Sequence, residues 1–262
     1  FDIRPGAITQ VEVSSKLYFR RAPEKLGIAP LTSMFLFGED PSGRRFDDFR
    51  PEVHDSDGLV VQTGRGEWLW RPVGNPKNLR VSRFLDDSPR GFGLSQRDRD
   101  FAHYQDNESH FERRPSYWVE PLGRWGRGSV ELVEVPTNEE IHDNIVAYWV
   151  PADPPDAKRP LSFSYLISAH ANSNRWPPGG KAVATRIGNA AIGGYDNSPA
   201  RRVLIDFAGG DLDGLDKTQP VKATITANGA KVDAVTVEQI EGTGTWRAAF
   251  RVTPNNPGDA ID

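Results

Sequence analysis

The sequence predicts an all-β protein, and three observations carry that prediction. Residues alternate with a period of two: Leu161, Phe163, Tyr165 and Ile167 against Ser162, Ser164, Leu166 and Ser168, and Trp246, Ala248, Phe250 and Val252 against Arg247, Ala249, Arg251 and Thr253. That period puts one set on a buried face and the other in water. No window carries a 3.6-residue apolar stripe over the length of an ordinary helix. Finally, 25 glycines and 21 prolines supply the turns that many short strands need.

Along the chain, strands are predicted over residues 9–13, 58–63, 68–73, 129–135 and 145–150. Cleaner alternation predicts further strands over 161–168, 221–228 and 246–253. Pro151-Ala-Asp-Pro-Pro-Asp-Ala-Lys-Arg-Pro160 removes ladder N–H donors and favours an extended connector. Before it the chain is rich in Trp, Arg and Asp; after it come short alternating strands with turn signals such as Asn228-Gly229, the pattern of a small sandwich. The chain is therefore divided near residue 155, into domains 1–155 and 156–262. Residues 172–199, with Trp176, Arg186 and Tyr195, are read as a long loop reaching towards a groove, on a neighbouring subunit if the protein is a homodimer.

Lys+Arg number 32 against 36 Asp+Glu, a net charge of −4. This argues against a phosphate-tracking nucleic-acid binder, which carries a basic excess. No apolar run is long enough for a membrane-spanning helix. The chain has no cysteine, which removes disulfides, thiolate nucleophiles and cysteine zinc sites together. Gly91-Phe-Gly93 is not a phosphate loop, and no Gly-x-Ser-x-Gly elbow occurs. The five histidines show no His-x-x-x-His spacing, so neither a cofactor nor a metal is expected. The chain opens on Phe1 rather than Met and is read as part of a longer protein.

Two acidic loops hold the residues that could carry chemistry. Arg50-Pro-Glu-Val-His-Asp-Ser-Asp-Gly58 gathers Glu52, His54, Asp55 and Asp57 before a strand; the plain reading is that such carboxylates cap backbone groups in a turn. Pro136-Thr-Asn-Glu-Glu-Ile-His-Asp-Asn144 precedes the apolar run 145–150. A carboxylate at that position, Asp143, is expected to be partly desolvated, which raises its pKa and suits it to be an acid. Trp68 and Trp70 share one strand face, and Tyr104, Phe111, Tyr117, Trp118 and Trp125 crowd nearby loops. Arg97 and Arg99 lie in Gln96-Arg-Asp-Arg-Asp-Phe101. Aromatic faces stack on sugar C–H faces while Arg and Asp take the hydroxyls; an ordinary aromatic core with surface ion pairs would look the same in sequence.

The stretches Ala29–Gly38, Arg50–Leu59, Gly66-Glu-Trp-Leu-Trp-Arg-Pro72, Gly91–Phe101 and Trp125–Trp149 resemble the osmoregulated periplasmic glucan biosynthesis proteins of the G and D type. The resemblance runs from residue 1 to about 160 and continues more loosely beyond. It implies the latter part of a large galactose-mutarotase-like β-sandwich followed by an immunoglobulin-like β-sandwich. It also implies a periplasmic location and action on β-1,2-linked glucan by inverting hydrolysis or transglycosylation. In similar members the aspartate at Asp143 looks like the general acid and that at Asp55 the base. Around them, His54, Arg50, Trp68, Trp70, Arg97, Arg99, Tyr104, Phe111 and Trp125 are the expected substrate contacts. The family further suggests a proton path longer than the ordinary carboxyl separation of about 6.5–9.5 Å. One departure stands out: where the family carries a tyrosine ahead of Arg113-Arg114-Pro115, this chain has Phe111. The competing expectation is a non-catalytic glucan-binding component of a membrane-bound glucan synthase complex.

Overall fold

The computed structural model describes residues 1–39, 45–171, 178–191, 197–216 and 218–256. The all-β expectation is met: the described residues form strands throughout, with one four-residue helix, α1 (Phe101–Tyr104), and two short 3-10 turns. They divide into two compact units, Phe1–Ser173 and Asn174–Asp262.

In the first unit, β1 (Asp2–Arg4), β2 (Ile8–Leu17), β6 (Gly58–Gln62), β7 (Trp68–Pro72), β9 (Gly91–Ser95), β10 (Ser116–Pro121) and β13 (Leu161–His170) make one sheet. Its order is β1-β2-β13-β10-β9-β6-β7. A second sheet has the order β3-β12-β11-β8, from β3 (Ile28–Ser33), β8 (Arg80–Asp87), β11 (Arg127–Glu134) and β12 (Ile145–Pro151). The period-two alternation explains why the two sheets meet face to face. Val13, Leu59, Val61, Phe92, Leu94 and Val119 point from the first sheet, and Ile28, Leu31, Val130, Leu132, Ala147 and Trp149 from the second, into one buried cluster. Trp149 is fully buried there, so its truncation to alanine should cost about 3–5 kcal/mol. Glu131, on the outer side of β11, and Glu134, at the strand's end on the same face as Val130 and Leu132, are also buried. Each is paired across the strands, Glu131 with Arg83 and Lys25, Glu134 with Arg80 and Arg71, as buried carboxylates must be.

The cut expected near residue 155 does not coincide with the division between units. β13, which lies beyond it, pairs with β2 along its whole length and with β10 on its other side. The proline-rich run joins β12 in one sheet to β13 in the other: its missing N–H donors end a ladder without ending a domain.

A small hairpin, β4 (Phe35–Phe37) with β5 (Val53–His54), is set beside the sandwich. It rests on its own apolar cluster of Met34, Leu36, Phe37, Val53, Tyr104 and Phe111.

The second unit is one antiparallel sheet of order β14-β15-β17-β16, from β14 (Lys181–Asn189), β15 (Arg201–Ala208), β16 (Ala230–Gln239) and β17 (Trp246–Pro254). Across it, Asp206 is buried beneath Arg186 and Arg247, each at 2.7 Å; the Arg247 hydrogen bond foremost holds its pKa below the usual value. Two expectations change here. Residues 181–189, read as loop, are strand β14, and Arg186 is spent on Asp206 rather than on a groove; Trp176 and Tyr195 lie outside the described residues. Residues 221–228 alternate between half-buried and exposed as expected, yet form no strand. Alternation sets which side chains face inward, but a ladder also needs a neighbouring strand.

Candidate active site

Two loops meet around the residue pair Met34-Phe35. Asp55 directly follows β5, and its N–H donates to the Met34 carbonyl at 2.9 Å. Asn144, next to Asp143 at the start of β12, is buried. Its Oδ1 accepts from the Phe35 N–H at 2.8 Å, and its Nδ2 donates to the Phe35 and Val135 carbonyls, each at 3.0 Å. One dipeptide thus holds both acidic loops, and Ser33 and Ser56 add a buried hydroxyl pair at 2.6 Å. Arg50 closes the group from the side, with Asp48 at 2.7 Å, Asp106 at 2.8 Å and Glu140 of the Asp143 loop at 2.7 Å.

The two aspartates sit in different surroundings. Asp55 is partly buried, with Oδ1 screened from solvent and without an aligned hydrogen bond among the described residues; the Arg114 Nε lies 3.3 Å from it. Burial raises the Asp55 pKa, Arg114 lowers it, the negative charge of Asp143 raises it, and His54 lowers it; the balance is upward. Asp143 is therefore close enough for its charge to be felt at Asp55. It is itself exposed, contrary to the expectation of partial desolvation: burial at this strand start falls on Asn144 instead.

Next to Asp55, Asp57 does what a turn aspartate ordinarily does. Its Oδ2 accepts from the N–H groups of Arg97 at 2.5 Å and Asp98 at 3.3 Å. That bond brings Arg97 over the Trp70 ring, 4.9 Å from its centroid. Trp70 in turn lies across Gly58, where an added Cβ would meet the indole at 2.5 Å. Trp68, two residues away on the same face of β7, packs on Trp118 at 5.4 Å. Trp118 is pressed over Gly91 and Gly93, which have no room for a side chain. The Gly91-Phe-Gly93 motif therefore makes space for an indole.

Several expected substrate contacts are not presented to a ligand. His54, Tyr104 and Phe111 are buried and offer a sugar no surface; their aromatic character serves the hairpin's own cluster. Trp125 packs between Trp149 and Tyr165 in the sandwich core. The Arg99 guanidinium donates to the carbonyls of Gln96, Glu112 and Arg114 and to Ser116 Oγ, and burial lowers its pKa. It fastens the segment that carries Arg114. Arg50 is likewise spent on three carboxylates. Of the expected contacts, Trp70, Arg97 and, in part, Trp68 are left at the surface, and Arg114 stands exposed beside Asp55. Arg114 was not among the expected contacts; its one signal is the basic pair ahead of Pro115.

Among the described residues, two groups have donor atoms close enough to surround a cation: Glu39, Glu52, Asp98 and His103, and Glu52, His54 and Asp57. In both, the histidine is engaged by the group's own carboxylates, His103 Nδ1 with Asp98 at 2.5 Å and His54 Nε2 with Glu52 at 2.8 Å.

The chain is similar along its whole length to curated proteins of one kind. It is 44% identical to the "Probable glucans biosynthesis protein D" of Shewanella oneidensis, over all of this chain and 48% of that protein. It is 46% identical to "Glucans biosynthesis protein D 1" of Ralstonia nicotianae, over 97% of this chain and 50% of that protein. It is 44% identical to "Glucans biosynthesis protein G" of the same organism, over 96% of this chain and 51% of that protein. The chain thus spans about half the length of these relatives. The family model described as "Periplasmic glucan biosynthesis protein, MdoG" matches residues 1–262. The chain belongs to the MdoG family of periplasmic glucan biosynthesis proteins.

Proposed function

We propose that this chain carries the two-carboxylate centre of an inverting glycosidase or transglycosylase acting on β-1,2-linked glucan in the periplasm. The observation that supports this reading most is that the loops carrying Asp55 and Asp143, far apart in sequence, are both held by Met34-Phe35. Two carboxylates in unequal surroundings are what acid–base cleavage of an acetal requires.

In this mechanism Asp143 gives its proton to the glycosidic oxygen as the C1–O bond breaks. A water or sugar hydroxyl attacks C1 from the opposite face, and its proton passes to Asp55, directly or through an intervening hydroxyl. The upward shift of the Asp55 pKa, chiefly from burial, suits it to accept a proton, and Arg114 works against that rise. Trp70 with Arg97 above it provides a stacking and hydrogen-bonding platform beside the base. Phe111 removes from this chain the hydroxyl that the family's tyrosine would supply, so the proton path relies on water or on substrate.

A second reading, a non-catalytic glucan-binding component of a membrane-bound synthase complex, draws on the exposed Trp70–Arg97 pair, which would bind sugar without chemistry. Incubation of the chain and of the full-length protein with linear β-1,2-glucan separates the two. Shortened, cyclised or branched products support the enzyme, and tight binding without any change in the polymer supports the scaffold. A homodimer remains part of the proposal only as an assembly state, read by light scattering.

A further inference from the structure

His54 is fully buried, and every polar group around it can be assigned. The Gln96 side chain faces three groups with its Nε2: the His54 carbonyl at 3.2 Å, the Phe111 carbonyl at 3.0 Å and the Tyr104 hydroxyl at 2.8 Å. Two of these are main-chain carbonyls, which only accept, so the amide nitrogen must lie on that side. Gln96 Oε1 therefore faces His54 Nδ1, at 3.0 Å, and that nitrogen must carry a proton. On the other side, Nε2 faces Glu52 Oε2 at 2.8 Å and Asp57 Oδ1 at 3.8 Å. Asp57 already accepts from the N–H groups of Arg97 and Asp98 through its other oxygen, Oδ2. The ring is sandwiched by Phe35, stacked at 5.2 Å, and Tyr104, edge-on at 5.3 Å.

We infer that His54 is a buried imidazolium, protonated on both ring nitrogens at neutral pH and held by Glu52 and Gln96, and that it is a positioning residue whose charge favours the carboxylate form of the adjoining Asp55. Burial alone would lower the His54 pKa, but the Glu52 hydrogen bond and the charges of Asp57 and Glu52 outweigh it and the balance is upward. The same charge opposes burial and Asp143 in the titration of Asp55. A doubly protonated ring has no lone pair for a cation, so Glu52, His54 and Asp57 form an internal ion-pair group. The competing arrangement is a neutral pair, with the proton on Glu52 and Nε2 bare. The second half of the inference rests on the reading of Asp55 as the base; the protonation state does not.

Nitrogen-15 and carbon-13 NMR of the histidine-labelled chain decides the first half. Two protonated ring nitrogens for His54, unchanged from pH 5 to pH 8, are expected; one unprotonated nitrogen at pH 7 overturns the inference. The coupling is read by the carboxyl carbon of Asp55. Glu52→Gln should let His54 lose its proton at neutral pH and shift the Asp55 midpoint upward. An Asp55 midpoint that stays in place while His54 becomes neutral refutes the positioning role. If Glu52→Gln does not fold, Asp55→Asn gives the reciprocal measurement: the His54 midpoint should fall, and an unchanged one is equally damaging. None of these readouts needs glucan, so a failed turnover assay and a failed proton measurement point to different errors.

Discussion

Asn144 binds both backbone polar groups of Phe35, accepting from its N–H at 2.8 Å and donating to its carbonyl at 3.0 Å. Phe35 is also the strand partner and ring partner of His54. A single amide side chain therefore joins the loop that carries Asp143 to the hairpin that presents Asp55. Replacing it by leucine leaves the Phe35 and Val135 groups without their partner. Each buried group so abandoned costs about 1–3 kcal/mol, so urea denaturation should show a large loss. Asn144→Asp keeps the shape but cannot donate to the two carbonyls, and it should be nearly as damaging. A wild-type midpoint in both variants would mean that the clasp does not hold the loops.

Asp55 should lower the protein's stability at neutral pH. Its folded-state pKa is raised above the ordinary 3.8, chiefly by burial. A raised pKa contributes stability that is fully present below pH 3.8 and lost as pH rises through the folded value. Asp55→Asn should accordingly be more stable than wild type at pH 7, with the difference vanishing below pH 3.8. Denaturant midpoints at the two pH values check this, and a variant less stable at pH 7 would contradict it.

Arg114 restrains that same titration from 3.3 Å. Arg114→Gln should move the Asp55 midpoint further up, and with it the acidic limb of a pH–rate profile, because less of the base is ionised at a given pH. An unmoved limb would remove Arg114 from the site.

Trp70 is about 38% exposed and rests on Gly58 at the edge of the Asp55 loop. Trp70→Ala should weaken glucan binding by about 1 kcal/mol, the scale of a stacking contact, or roughly fivefold in Kd. Calorimetric titration with linear glucan, with Asp143→Asn in both proteins to prevent turnover, measures it directly.

How far the sequence could be read depends on which property was asked of it. Alternation over 161–168 identifies β13, because the inward and outward faces are a local consequence of the period. Its partner β2, more than a hundred residues earlier, is not a local property, and this is why the proline run resembles a boundary in sequence. The aspartates were legible as loop residues flanking strands. Burial was not: His54, Tyr104 and Phe111 have the chemistry of ligand contacts, and only the tertiary cluster beneath the hairpin turns them inward. Arg114 went unread for the opposite reason, since a basic pair before proline looks like ordinary surface until Arg99 fastens its backbone beside Asp55.

The central claim is that Asp143 is the acid. Its most direct test is the turnover of linear β-1,2-glucan by the full-length protein and its Asp143→Asn variant, both first shown to be folded by circular dichroism. The exposed position of Asp143 means the substitution should leave the fold intact while activity falls on the order of 10²–10⁴-fold, the contribution of general acid–base participation. A folded variant that processes the glucan at the wild-type rate would contradict the account.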